Sequence, residues 1–180
     1  MRQSFFSSPI FFFLAILFLA KVDADIVNET CQKASQVDKE LQYDFCVAAL
    51  GKDPKSHSAD LQGLGIISME LMKEKATKIG SHIKEILNDT KSGPVFKRCI
   101  QSCDERYADV QLSTNHAIEA FKSKNYKEAS SQVSATLTNA GTCEDVFAQT
   151  LDHLKSPLTA EYNDLFQLIS IAGQISFVLT

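Results

Sequence analysis

Cysteine and histidine are the side chains with the most chemistry to offer in this chain. There are five cysteines, Cys31, Cys46, Cys99, Cys103 and Cys143, and four histidines, His57, His82, His116 and His153. Cys99 and Cys103 stand four apart, a helical spacing at which two thiolates can share a metal ion, but no second pair of ligands follows them. The histidines are scattered, with no acidic or thiol partner at ligand spacing, and read as surface residues. No His-x-x-x-His, Gly-rich phosphate loop or nucleophile elbow is present. The carboxylates of Glu144-Asp145 read as structural polar groups beside an apolar face rather than as an acid pair. These residue types form no catalytic constellation and imply no metal and no cofactor. They argue against an enzyme.

Oxidation is the chemistry that remains for the thiols, and it needs an oxidising compartment. Met1 to Ala24 supplies the route to one. Arg2 lies near its start, an apolar run extends from Ile10 to Ala20, and Val22 and Ala24 make a small-residue end. That is the pattern of a cleaved secretory signal. The alternative is a membrane anchor, but the apolar run of about eleven residues is too short to span a bilayer. Cleavage after Ala24 is preferred over Ala20, which would put the bulky Phe18 at the minus-three position. The leader takes away two of the eighteen basic residues and one of the twenty-two acidic ones, so the mature chain carries a net charge of −5. An acidic chain without a basic patch or Trp argues against nucleic acid or an anionic membrane as partner. Asn28-Glu29-Thr30 and Asn88-Asp89-Thr90 are N-glycosylation sequons, so Asn28 and Asn88 are candidate sites and are expected to be exposed.

The elements that must position the thiols are helices. Ile26, Val27, Cys31 and Ala34 share one helical face; after a polar break at 36–39 a second short apolar segment runs Leu41, Phe45, Cys46, Ala49, Leu50. Pro54 breaks the chain again, and Ser58 is a candidate N-cap for the next element. A long stripe follows: Leu61, Leu64, Ile67, Leu71 or Met72, Ala76, Ile79, Ile83, Ile86. A second is more regular, Phe96, Ile100, Cys103, Tyr107, Val110, Thr114, Ala117, Phe121, opened by Pro94 in the first turn. A third runs Tyr126, Ala129, Val133, Leu137, Ala140, Cys143 or Glu144, Phe147. The last runs Tyr162, Leu165, Ile169, Ala172, Ile175 or Ser176, Leu179, with Thr159 as candidate cap. Four long amphipathic helices joined by short turns predict an all-α, up-down-up-down four-helix bundle over residues 58–180. Residues 25–57 precede it as an α-hairpin, and the two parts make one domain.

Antiparallel geometry then selects the pairs, because residues equidistant from a turn face each other. Cys31 and Cys46 are centred on the break between Asp38 and Lys39, so a bond between them closes the hairpin. A loop of about fifteen residues is worth roughly 3 kcal/mol on the chain-entropy model. Cys103 and Cys143 are centred on residue 123, in the polar turn after Phe121, and are assigned to each other. Cys99 lies about 6 Å further along its helix, beyond comfortable reach of Cys143. It is left as a free thiol, able to link two chains if exposed.

With these residues in place, the chain resembles the plant invertase and pectin methylesterase inhibitor family over nearly the whole mature length. The resemblance rests on Tyr43-Asp44-Phe45-Cys46-Val47, on Asp53-Pro54-Lys55-Ser56 with Asp60-Leu61-Gln62-Gly63-Leu64-Gly65, on Cys103-x-x-x-Tyr107-Ala108-Asp109, and on Gly141-Thr142-Cys143-Glu144-Asp145-x-Phe147. Its start, Asp25-Ile26-Val27 with Thr30-Cys31, is similar to a subgroup named for invertase inhibition that includes pollen allergens. The resemblance implies a secreted protein of the apoplast or vacuole. It would block a carbohydrate-active enzyme by occupying the active-site cleft in a stoichiometric complex. Invertase inhibitors are similar in carrying Pro-Lys-Phe before the second long helix. Here the position reads Pro94-Val95-Phe96, with the Lys missing, and these three are the candidate contacts with an acid invertase. The pectin methylesterase branch, the alternative target, is similar in Gly-Thr-Cys-Glu-Asp and engages through helix faces. Phe96 also opens an apolar stripe and so is equally a core candidate. A reading of a different class is a secreted bundle that carries a small apolar ligand in a dry central cavity.

Overall fold

The computed structural model describes residues 25–89, 92–150 and 154–180. The leader, Thr90 of the second sequon and His153 lie outside the described residues. Within them the chain forms six α-helices and one 3-10 turn, and no strand. The helices are α1 (Ile26–Val37), α2 (Tyr43–Leu50), α3 (Leu61–Asn88), α4 (Pro94–Lys122), α5 (Tyr126–Ala148) and α6 (Thr159–Val178), and the 3-10 turn (Pro54–Ser58) lies between α2 and α3. Helices α3 to α6 form the bundle: α3 packs on α4 and α6, and α5 packs on the same two.

The regular stripe of α4 is its buried face. Ile100, Cys103, Tyr107, Val110, Thr114, Ala117 and Phe121 are all fully buried, and Cys99, Ser113 and Ile118 flank them. In α3 the buried line is rotated from the expected one at its start. Ser68 and Met69 take the core positions while Ile67 is only half-buried, and of the pair Leu71 and Met72 it is Met72 that is buried. The cause is Gly65, which lets α3 approach α4 closely: a Cβ there would stand 2.1 Å from the Phe121 ring. Ser68 is tolerated inside because its hydroxyl donates to the Gly65 carbonyl at 2.8 Å.

Two helix starts differ from the sequence expectation. The cap of α3 is Asp60, whose carboxylate accepts from Gly63 N–H at 2.7 Å, because Ser58 is taken into the 3-10 turn begun by Pro54. Leu158, not Thr159, holds the cap position of α6 and makes no side-chain cap bond. The Thr159 hydroxyl is drawn instead to Glu144.

The turn between α4 and α5 closes as a Schellman motif: Asn125 N–H donates to Ala120 C=O at 2.9 Å and Lys124 N–H to Phe121 C=O at 3.0 Å. Lys124 occupies the left-handed position at φ 63°. Asn125 then caps α5 through Glu128 N–H, and Phe121 meets Tyr126 edge-on across the turn, centroids 5.0 Å apart. This local closure sets α4 and α5 antiparallel and in register. Along the pair, Cys103 bonds to Cys143 with their Cα atoms 4.7 Å apart. Cys31 bonds to Cys46 across the α1–α2 hairpin, and Cys99 is free and buried.

Candidate target-binding surface

Pro94, Val95 and Phe96 form the first turn of α4, and the structure divides them. Pro94 and Val95 face solvent, Val95 at 40 % exposure. Phe96 is half-buried: its ring packs edge-on against Phe147 of α5, centroids 5.7 Å apart and planes at 65°. The aromatic ring is therefore an anchor of the turn to the bundle, and the two residues before it are the ones presented. Gly93, the N-cap residue, has no side chain to accept from the free N–H groups, and no acid lies in the first turn. The positive end of the helix dipole is left uncompensated by its own sequence.

Lys97 and Arg98 extend this character. Both are exposed, and neither is ion-paired with a described residue. An acidic protein thus carries a local cationic end beside an exposed Pro-Val step. Sequence reasoning passed over these two side chains. The available signal was that they follow Phe96 on the polar side of the α4 stripe, nearly two turns before Asp104, the first acidic residue of the helix.

The ground beneath this turn is rigid. Phe96, Cys99, Ile100 and Cys103 run down α4 opposite Cys143, Val146 and Phe147 of α5, and the Cys99 thiol reaches the Val146 carbonyl at 3.9 Å. With 5 % exposure Cys99 is set into this seam, out of reach of a second chain. Glu144 ties the same end to α6: one carboxylate oxygen accepts from the Ser156 hydroxyl and the other from the Thr159 hydroxyl, each at 2.6 Å. The Gly141–Phe147 stretch is thereby scaffold, with its cysteine, carboxylate and ring all turned to neighbouring elements.

The remaining polar groups do structural work as well. His82 on α3 contacts the Glu161 carboxylate of α6 at 2.8 Å, and His57 stands 3.5 Å from Asp25. The sequence shows no partner for either, because His82 and Glu161 are 79 residues apart and meet only in the bundle. Lys75 and Asp164 bridge the same pair of helices at 2.6 Å. Tyr107 is buried, and its hydroxyl has no hydrogen-bond partner among the described residues; burial, then the charges of Glu144 and Glu161, push its phenol above the ordinary range. Ser113, Thr114 and Thr136 form a buried hydroxyl cluster between α4 and α5, with Ser113 and Thr136 3.0 Å apart. Among the described residues, no group of three or more His, Cys, Asp or Glu is placed to hold a metal ion, and no helix is long and apolar enough to cross a membrane. Both sequon asparagines, Asn28 and Asn88, are exposed. The bundle interior is filled by Met69, Met72, Tyr107, Phe121 and Phe147.

Comparison with known proteins places these features. A family model described as plant invertase/pectin methylesterase inhibitor matches residues 25–175. A protein of Platanus acerifolia named "Putative invertase inhibitor" is 43 % identical over 179 residues, covering 99 % of each chain. A protein of Actinidia deliciosa named "Pectinesterase inhibitor" is 31 % identical over 157 residues, covering 82 % of this chain and 81 % of its own. The crystal structure of a mutant form of a pectin methylesterase inhibitor from Arabidopsis has the same fold: TM-score 0.69, 24 % identity, 82 % of this chain and 97 % of that one covered.

Proposed function

Because the chain belongs to the plant invertase/pectin methylesterase inhibitor family, we propose that it binds an acid invertase and blocks it by occupying the active-site cleft in a stoichiometric complex. The observation that carries this reading is the exposed, cationic, acid-free start of α4. Glycoside hydrolases work with a pair of carboxylates flanking the scissile bond. A protruding Pro94-Val95 step, with an uncompensated helix end and with Lys97 and Arg98 beside it, complements such a cleft in shape and in charge. Phe96 holds the turn to Phe147, and the Cys103–Cys143 bond holds α4 to α5, so little order has to be gained on binding. Lys97 and Arg98 are the cations at hand where the Pro-Lys-Phe pattern would carry one at position 95. On this reading the leader directs the protein out of the cell, to the apoplast or onward to the vacuole, where such enzymes act.

A second reading, inhibition of a pectin methylesterase, is favoured by the apolar Val95 and by the similarity to the Actinidia protein. One titration separates the two. Purified mature protein is added to an acid invertase and, separately, to a plant pectin methylesterase at mildly acidic pH. The expected result is stoichiometric loss of invertase activity alone. Loss of pectin methylesterase activity alone selects the second reading, and no loss of either overturns both.

A further inference from the structure

The α1–α2 hairpin is joined to the bundle by one side chain of unusual placement. Gln167 of α6 is 7 % exposed, yet both ends of its carboxamide are paired, and both partners are backbone groups of the hairpin loop. Its Oε1 accepts from Gln42 N–H at 2.8 Å, and its Nε2 donates to Glu40 C=O at 2.8 Å. The two bonds straddle Leu41, which is 4 % exposed. The carboxamide offers an acceptor and a donor at that separation, whereas a carboxylate or an ammonium would satisfy one partner and oppose the other.

Away from this point the seam is less complete. An apolar groove of about 230 Å³ separates Ile26, Ala34 and Val37 of α1 from Leu61, Ile175 and Val178 of the bundle. Val37 and Val178 remain 69 % and 67 % exposed at its edge. Dispersion contacts that a filled seam would supply are missing there. Inside the hairpin, by contrast, the ties are covalent and local. Cys31 is bonded to Cys46, the Tyr43 hydroxyl donates to Asn28 Oδ1 at 3.3 Å, and the Ser56 hydroxyl donates to Leu50 C=O at 2.6 Å.

We infer that Gln167 is the latch of the hairpin: by bridging Gln42 N–H and Glu40 C=O it sets how often the disulfide-closed hairpin parts from the bundle as one unit. The bundle stays folded meanwhile, because its own disulfide and its α4–α5 seam lie elsewhere. Opening of this kind is a sub-global event with its own free energy, below that of global unfolding.

Hydrogen exchange followed by mass spectrometry on the oxidised full mature chain tests this. Gln167→Leu removes both bonds at similar volume, and amides in α1 and α2 are expected to exchange about tenfold faster. Amides in α3, α4 and α5 keep their rates, and the mass of the peptide pair shows Cys31–Cys46 intact. Gln167→Glu, whose carboxylate accepts from Gln42 N–H but opposes Glu40 C=O, is expected to accelerate exchange in α1 and α2 at least as much as Gln167→Leu. Should Gln167→Leu not fold, Leu41→Ala loosens the same loop from the bundle and carries the same expected pattern. Equal acceleration in every helix, or unchanged rates in α1 and α2, overturns the latch and leaves Gln167 as an ordinary core contact.

Discussion

Replacing Phe96 with alanine, alongside Val95 with aspartate, separates anchor from contact at the start of α4. Full burial makes a Phe→Ala change cost about 3–5 kcal/mol. Phe96 is half-buried, which brings the packing loss to about 1.5–2.5 kcal/mol, and the edge-on pair with Phe147 adds about 0.5–1.5 kcal/mol. The sum is about 3 kcal/mol, or roughly 6–12 °C in Tm for a domain of this size. Val95 behaves oppositely. It is 40 % exposed and sits in an acid-free first turn, so a carboxylate there meets the positive end of the helix. Val95→Asp should leave Tm unchanged or raise it, by up to about 1 kcal/mol in stability. On the proposed reading it puts a negative charge against the carboxylates of the target and should weaken inhibition at least tenfold. Circular dichroism melts and activity titrations at 20 °C or below, where both variants are folded, give the two readouts. A Phe96→Ala variant with wild-type Tm would refute the anchoring role. Full inhibition by Val95→Asp would refute contact at this turn.

Three further substitutions test the packing argument. Gly65→Ala puts a methyl group 2.1 Å from the Phe121 ring, and because that ring is itself wedged in the core the variant should lose about 1–3 kcal/mol in chemical denaturation. Lys124→Gly relieves a left-handed conformation at φ 63°, so it should gain about 0.5–1 kcal/mol, read as a higher denaturation midpoint at unchanged slope. Tyr107→Phe removes a buried hydroxyl that has no partner among the described residues and should be neutral or stabilising by about 1 kcal/mol near neutral pH. Its signature lies in alkali. The folded phenol titrates above its ordinary value of 10.0, so above that pH the unfolded state sheds a proton that the folded state keeps, and wild-type stability falls as pH rises. Tyr162 is raised in the same direction and contributes to that fall in both proteins, so the difference between wild type and Tyr107→Phe isolates Tyr107. An identical alkaline slope in the variant contradicts the assignment.

Most of the bundle is legible along the chain because a helix repeats its buried face every three or four residues. The α4 stripe from Ile100 to Phe121 is the clearest case: seven positions chosen by spacing are seven buried side chains. The α3 stripe slips at Ile67, since helical spacing records which residues share a face and not how closely the next helix comes. That distance was decided by Gly65 meeting Phe121, two residues from different helices. Caps were misplaced at Ser58 and Thr159 for a related reason. A hydroxyl beside a helix start has several acceptors within reach, and Glu144, fifteen residues from Thr159, won one of them.

The surface was less legible than the core. Pro94-Val95-Phe96 stood out as a unit, but spacing alone left Phe96 as contact or core. Only the position of Phe147 makes its ring an anchor and leaves Val95, Lys97 and Arg98 as the side chains presented to solvent. His82 with Glu161 and Gln167 with the hairpin loop carried no signal at all in the sequence, their partners being 79 and more than 120 residues away.

By itself, then, the sequence determined the all-helical class, the order and length of the helices, the turn at Ser123 and the symmetry of the thiols about it. Each of these depends on neighbours within a few turns of one chain. The tertiary structure decided which side chains bridge elements: Phe121 on Gly65, Phe96 on Phe147, Glu144 to Thr159, Gln167 to the hairpin. Those contacts form between faces whose rotation and separation are set by packing the whole bundle at once, and no local period in the chain encodes them.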